Sequence, residues 1–302
     1  MSGLIGRRHA GAGGDARRIA ATGADQVVPR KRCLYLDLDG TLLGRGASLL
    51  HDGEGRVSID GVRAVQACLS AGVEVVLMSG RRRVQVAEDA RLLGQGSYIF
   101  EAGACVVIED EEHWLTGDML PEELTIAQQI EGSGAPALLL EHYAGRLEQH
   151  EPWHTEREVS HLFRGLLDAA EANRLLVEHG YAGLRLLDNG VLSQRSAALV
   201  GLPRVHGYHL VPAGVSKGRA LAFHSRARGY NETETFAIGD SWEDLASAEH
   251  VAIFWLVANA LQRDPTMHEA VAACPNVRVC EAAHGAGVYE AVLSTLMERP
   301  AP

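Results

Sequence analysis

Cys33-Leu34-Tyr35-Leu36-Asp37-Leu38-Asp39-Gly40-Thr41 is an apolar, strand-forming run that ends in two aspartates two positions apart, followed by a glycine. A strand buried on both faces is expected to be almost continuously apolar. Carboxylates at its carboxyl end are therefore not core filler, and in an open α/β sheet that end faces the ligand crevice. Crowded carboxylates repel unless a cation or a shared proton separates them. A hard divalent ion, Mg²⁺, meets that need, because it takes one or two carboxylates together with water and substrate phosphate.

Outward from this stretch the chain alternates strand and helix. Residues 59–71 carry an amphipathic helix closed by Gly72, and 73–78 a strand that ends in Ser79-Gly80-Arg81. A helix over 84–93 and strand-like runs over 97–101 and 105–108 follow. Three alternations predict an α/β fold with a doubly wound parallel sheet. Between about 110 and 210 the rhythm breaks. Helices are expected over 122–131 and 159–178, and short strands over 137–141, 146–149, 184–187 and 191–195, with a hairpin at Leu187-Asp188-Asn189-Gly190. From 211 the α/β rhythm returns: helix 216–228, strand 235–238, helix 243–248, strands 251–256 and 277–280, and helix 287–296. The expected organisation is a core over 31–109 and 210–302, interrupted by an α+β cap over 110–209. A tail over 1–30, disordered, precedes them.

With 302 residues there is room for a core and a second module. The net charge of −11 argues against a nucleic-acid partner, although the first 32 residues are basic. The longest apolar run, 251–261, is too short to span a bilayer. Five scattered cysteines without a C-x-x-C pair suit a reducing, cytoplasmic compartment. Oligomeric state is not legible.

Four clusters carry chemistry. In the first, Asp37 is the candidate nucleophile, Asp39 the candidate acid and base, and Thr41 a phosphate contact. The second is Ser79-Gly80-Arg81, where a hydroxyl and helix-start amides suit a phosphate oxygen. In the third, Lys217 stands at a helix start, where the dipole disfavours a cation unless an anion faces it. The fourth is Gly239-Asp240-Ser241-Trp242-Glu243-Asp244, in which Asp240 and Asp244 can complete a metal site with Asp37 and Asp39. Each also has a plainer reading: an Asp-capped turn, a Ser N-cap, a solvated lysine, and acids in a first helical turn.

The order D-x-D-G-T, S-G-R, K, G-D-x-x-x-D resembles the haloacid dehalogenase-like (HAD) superfamily, over roughly residues 33–108 and 210–296. The second aspartate of the first motif points to its phosphatases and phosphomutases. A cap between the second and third motifs is the arrangement of the C2-capped branch, and 205–218 is similar to Cof-like and sugar-phosphate phosphatases. The resemblance implies Asp37 as nucleophile and Asp39 as acid and base. It implies Mg²⁺ on Asp37, the Asp39 main chain and Asp240, supported by Asp244, with phosphate on Ser79 and Lys217. The implied activity is hydrolysis of a small, sugar-like phosphomonoester. A phosphomutase, or a ligand-binding protein without turnover, are the alternatives. Two departures stand out: Ala102 where relatives often have Asn, and Glu243 where they often have Asn. In the cap, Glu141, Arg185 and Asn189, with Arg81 from the core, are candidate substrate contacts. Trp114, Trp153 and Trp242 can stack on a sugar or pack in a core.

Overall fold

The computed structural model describes residues 30–192 and 196–298. The expected tail, apart from Arg30, and the end of the strand expected over 191–195 lie outside them.

The core begins with β1 (Cys33–Leu36), α1 (Asp60–Ser70), β2 (Glu74–Met78), α2 (Arg83–Leu92), β3 (Ser97–Phe100), β4 (Cys105–Ile108) and β5 (Glu111–Trp114). The insertion contains α3 (Ile126–Ser133), α4 (Ala135–His142), β6 (Leu147–Gln149), β7 (His161–Gly165), α5 (Ala169–Glu178), β8 (Leu184–Val191) and β9 (His206–Pro212). The core resumes with α6 (Lys217–Ala227), β10 (Thr235–Gly239), α7 (Trp242–Leu245), β11 (Ile253–Leu256), α8 (Ala258–Arg263), α9 (Met267–Ala273), β12 (Val277–Val279) and α10 (His284–Met297).

Among the described residues, eight strands form the main sheet in the order β12-β11-β10-β1-β2-β3-β4-β5, and β6-β7-β9-β8 form a second, antiparallel sheet. From β12 to β3 the main sheet is parallel, while β4 and β5 run antiparallel at its edge. The central strands are apolar on both faces because helices cover both. Leu34 and Leu36 pack under α1 and α10, while Tyr35, Val76 and Phe254 pack under α6. A separate core holds the cap together, with Leu139, Phe163, Leu176, Leu186 and Tyr208.

Sheet membership moves both expected domain boundaries. Since β5 belongs to the main sheet, the insertion starts after Trp114 rather than at 110. Since β9 pairs with β7 and β8, it extends to Pro212. Three local expectations inside the cap are overturned. Residues 137–141 are helical, within α4, where Pro136 sits in the first turn and its missing N–H costs nothing. The helix expected over 159–178 is β7 followed by α5, and Asp168 caps α5 by accepting from the Ala170 and Glu171 amides. Asn189-Gly190 is not a hairpin turn: β8 runs through it, with an irregularity against β9 between Asp188 and Val191.

Candidate active site

Register aligns the tips of the central strands. Leu36 pairs with Leu77 of β2 and with Ile238 of β10, so the residues that follow each strand emerge side by side. Asp37, Ser79 and Asp240 follow β1, β2 and β10 respectively. After Asp39 the chain turns at Gly40, with φ 85°, in the left-handed region that glycine adopts without strain. A Cβ there would lie 2.1 Å from Asp240 Oδ2, so no larger residue fits between the first and fourth motifs.

Asp37 is buried, and its two oxygens are separately held. Oδ2 accepts from Thr41 Oγ1 at 2.8 Å, and Oδ1 accepts from Lys217 Nζ at 2.7 Å. Lys217 also donates to Asp244 Oδ1 at 2.7 Å, so one buried ammonium serves two buried carboxylates. Burial first, and then Asp244, push the Asp37 carboxyl up to about 6, while Lys217 and Thr41 pull it back. Burial alone would lower the Lys217 ammonium, but Asp244 and Asp37 raise it above an ordinary lysine. The lysine at a helix start thus faces anions, which resolves its conflict with the dipole.

Asp244 Oδ2 accepts from Ser241 Oγ at 2.6 Å and from the Asp240 and Ser241 amides, both at 3.2 Å. Asp240 pairs with Arg263 of α8. Carboxylate oxygens of Asp37, Asp240 and Asp244 all lie within 4.8 Å of one another. This is an all-oxygen donor set, and it fits a hard divalent ion. Glu243 stands apart from it. Its Oε1 accepts the Lys217 backbone N–H at 3.1 Å, so this departure from the family pattern satisfies a helix-start amide rather than adding an acid to the cluster.

Asp39 projects from the rim of the cavity, with about half of its side chain exposed. Arg81 grips both of its oxygens, Nε to Oδ2 at 2.6 Å and Nη2 to Oδ1 at 2.7 Å, and is braced by Asp89 at 2.8 Å. Bidentate pairing of this kind fixes orientation as well as position. Arg81 is therefore tied to Asp39 in this structure.

The motifs open onto a cavity of about 360 Å³ between core and cap. Asp37, Asp39, Ser79, Gly80, Lys217, Asp240 and Asp244 line its core side. The cap side includes Trp153, Arg157, Asn189 and His209. Of the cap residues read from sequence, Asn189 and Trp153 reach the cavity. Glu141 is exposed on α4, outside the lining, and Arg185 instead approaches Glu243 at 4.0 Å.

Sequence reasoning missed Arg157, His209 and Glu101. Arg157 is buried, donating from Nη2 to the Gly80 carbonyl at 2.5 Å and from Nε to Ser160 Oγ at 2.7 Å. Its own cap segment is held from the core. Glu101 is fully buried, and its carboxylate accepts from the Glu158, Val159 and Ser160 amides at 2.8, 3.1 and 2.6 Å, and from Ser160 Oγ at 2.9 Å. Ser160 Oγ in turn lies 3.1 Å from His209 Nδ1. Burial, followed by Arg157 and Lys217, holds the His209 imidazole well below its ordinary range. Glu101 was legible in principle, being an acid at the end of an apolar strand like Asp37 and Asp240. Arg157 carried no signal within its charged run, Glu156-Arg157-Glu158.

No protein-family model matches the chain. A phosphoglycolate phosphatase of Methanoculleus marisnigri is 25% identical over 271 residues, covering 86% of this chain and 95% of that protein. One of Archaeoglobus fulgidus is 26% identical over 264 residues, covering 87% and 96%. Among solved structures, sucrose-phosphatase of Synechocystis, in complex with sucrose and phosphate, superposes with a TM-score of 0.63 at 15% identity, covering 88% of this chain and 98% of that one. A haloacid dehalogenase-like hydrolase of Bacteroides thetaiotaomicron gives 0.56 at 16% identity, covering 88% and 99%. In strand order, in the inserted cap and in the meeting of the four motifs at one sheet edge, the chain is similar to the haloacid dehalogenase-like hydrolases and shares their fold.

Proposed function

We propose that the chain is a Mg²⁺-dependent phosphomonoester hydrolase that works through an aspartyl phosphate on Asp37. The observation that supports this most is the position of Asp37. It is buried at the floor of the cavity, between Lys217 and Thr41, beside two further carboxylates and opposite the hydroxyl of Ser79. An Asp37 oxygen attacks phosphorus as the P–O bond to the leaving group breaks, and Asp39 gives the departing oxygen a proton. Asp39 then removes a proton from a water that attacks the aspartyl phosphate, which releases inorganic phosphate and restores the Asp37 carboxylate and the protonated Asp39. Ser79, the Gly80 amide and Lys217 hold phosphate oxygens through these steps, while Thr41, fully buried and outside the cavity lining, orients Asp37 through its hydroxyl rather than meeting phosphate as the sequence suggests. Asp37, Asp240, the Asp39 main chain and Asp244 would hold Mg²⁺, whose bound charge offsets the negative charge of the phosphoryl group.

The volume of the cavity is at the small end for ligand sites, which supports a small phosphorylated molecule. Trp153 and Asn189 favour a sugar-like body, offering a ring face and an amide from the cap side. A second reading, phosphoglycolate, is favoured by the name the aligned relatives carry. The unpaired thiols of all five cysteines suit a cytoplasmic setting.

Phosphate release from a panel of sugar phosphates, phosphoglycolate, nucleotides and an aryl phosphate, with Mg²⁺ or with chelator, tests the reading. Mg²⁺-dependent release concentrated on one or two small phosphates is expected. Release that is unchanged by chelation overturns the metal assignment, and isomerisation without free phosphate overturns hydrolysis.

A further inference from the structure

At the amino-terminal ends of β1 and β2, remote from the cavity, a second group of ligand-type side chains meets. Cys33 opens β1 and is in register with Glu74, which opens β2. His224 comes down on both from α6. One donor atom from each lies within 4.8 Å of the others. Cys33 and His224 are fully buried, whereas the Glu74 side chain keeps 18% exposure.

His224 is poorly explained as core. His224 Nδ1 lies 3.0 Å from Tyr35 Oη, but Nε2 has no hydrogen-bond partner, and Glu74 Oε1 at 3.7 Å is too far to be one. A buried polar atom left this way pays its full desolvation cost.

We propose that Cys33, Glu74 and His224 form a binding site for a borderline-soft divalent metal of the Zn²⁺ class, distinct from the all-oxygen cluster at the other end of the sheet. Thiolate, imidazole and carboxylate are the donors that such an ion selects. In the tautomer with the proton on Nδ1, Tyr35 Oη accepts it at 3.0 Å and the Nε2 lone pair is left for the ion, as with the outer partners of metal-bound histidines. Ser97 Oγ and Tyr230 Oη donate to the Glu74 carboxylate at 2.8 and 2.6 Å and hold it in place. Binding forms the Sγ–metal bond and sends the Cys33 proton to solvent. A water entering beside Glu74 takes the fourth position. The site lies about 13 Å from Asp37 along β1, four residues at roughly 3.3 Å each, so it clamps β1, β2 and α6 without touching the reacting groups.

The test is a Co²⁺ titration of the full chain under reducing conditions with Mg²⁺ in excess. A near-ultraviolet thiolate-to-cobalt band that saturates at one ion per chain and is displaced by Zn²⁺ is expected. Cys33→Ser should abolish the band, and Zn²⁺ should raise the melting temperature of the native chain but not of that variant. Glu74→Gln should weaken Zn²⁺ at least about tenfold. No band with folded protein, or a band that survives Cys33→Ser, overturns the proposal. Should Cys33→Ser fail to fold, unchanged Zn²⁺ affinity in Glu74→Gln overturns it equally.

Discussion

Lys217 Nζ donates to Asp37 Oδ1 at 2.7 Å, from a helix that starts 180 residues further along the chain. With Asp244 on its other side, the ammonium is the compensating charge for a carboxylate pair that is otherwise buried. Removing one partner of a buried ion pair is far costlier than the pair is worth. Lys217→Met is expected to lose about 3–5 kcal/mol of stability in urea unfolding without added Mg²⁺, and to lose phosphatase activity. Lys217→Arg should not restore activity, since a planar fork cannot reproduce one point charge between two acids. Full activity in Lys217→Met would remove the residue from the site.

Asp39 should behave differently. It is half-exposed and its pairing with Arg81 is partly solvated, so the pair contributes up to about 1 kcal/mol to stability. Asp39→Asn is expected to lower kcat by roughly 10²–10⁴-fold with a melting curve close to that of the native chain. A large stability loss with kcat preserved would make Asp39 a structural acid.

Glu101 joins core to cap. Four donors converge on one carboxylate, and a glutamine would turn an N–H₂ toward some of them. Glu101→Gln is expected to cost about 1–3 kcal/mol. Because the 157–160 segment carries Arg157 to the cavity, KM should rise more than kcat falls. Steady-state kinetics beside a denaturant curve separates the two effects, and an unchanged KM would confine Glu101 to a purely structural part.

His209 sets an acid limit on stability. It is buried beside Arg157 and Lys217 and is held neutral well below the 6.5 of an unfolded histidine. The unfolded chain therefore binds the extra proton first, and stability falls as pH drops below about 6.5, by up to about 1.4 kcal/mol per pH unit. His209→Gln should reduce that slope between pH 6.5 and 5 in denaturant titrations, leaving the part contributed by His150 and His224, both held down at about 4 by burial. An identical slope in the variant would place the acid sensitivity elsewhere.

The core was legible because its physics is local. Apolar runs such as 33–36 and 235–238 end in acids, and glycines mark the turns, so strand, crevice and chemistry share one signal. The cap was harder. Leu162, Phe163, Leu166, Leu167, Ala172, Leu175 and Leu176 recur at helical spacing straight across the break between β7 and α5. Only Gly165 and the capping Asp168 reveal that break. Ala137 to Leu140 is a short apolar run, which periodicity alone cannot assign. The contacts of Arg157 and His209 depend on cap and core meeting, which no local pattern encodes.

Acid quenching during turnover, followed by mass analysis of the peptide that contains Asp37, tests the central claim most directly. A phosphoryl group on Asp37, dependent on substrate and Mg²⁺ and absent in Asp37→Asn along with phosphate release, is the predicted result. Steady phosphate release from Asp37→Asn at the native rate would contradict it.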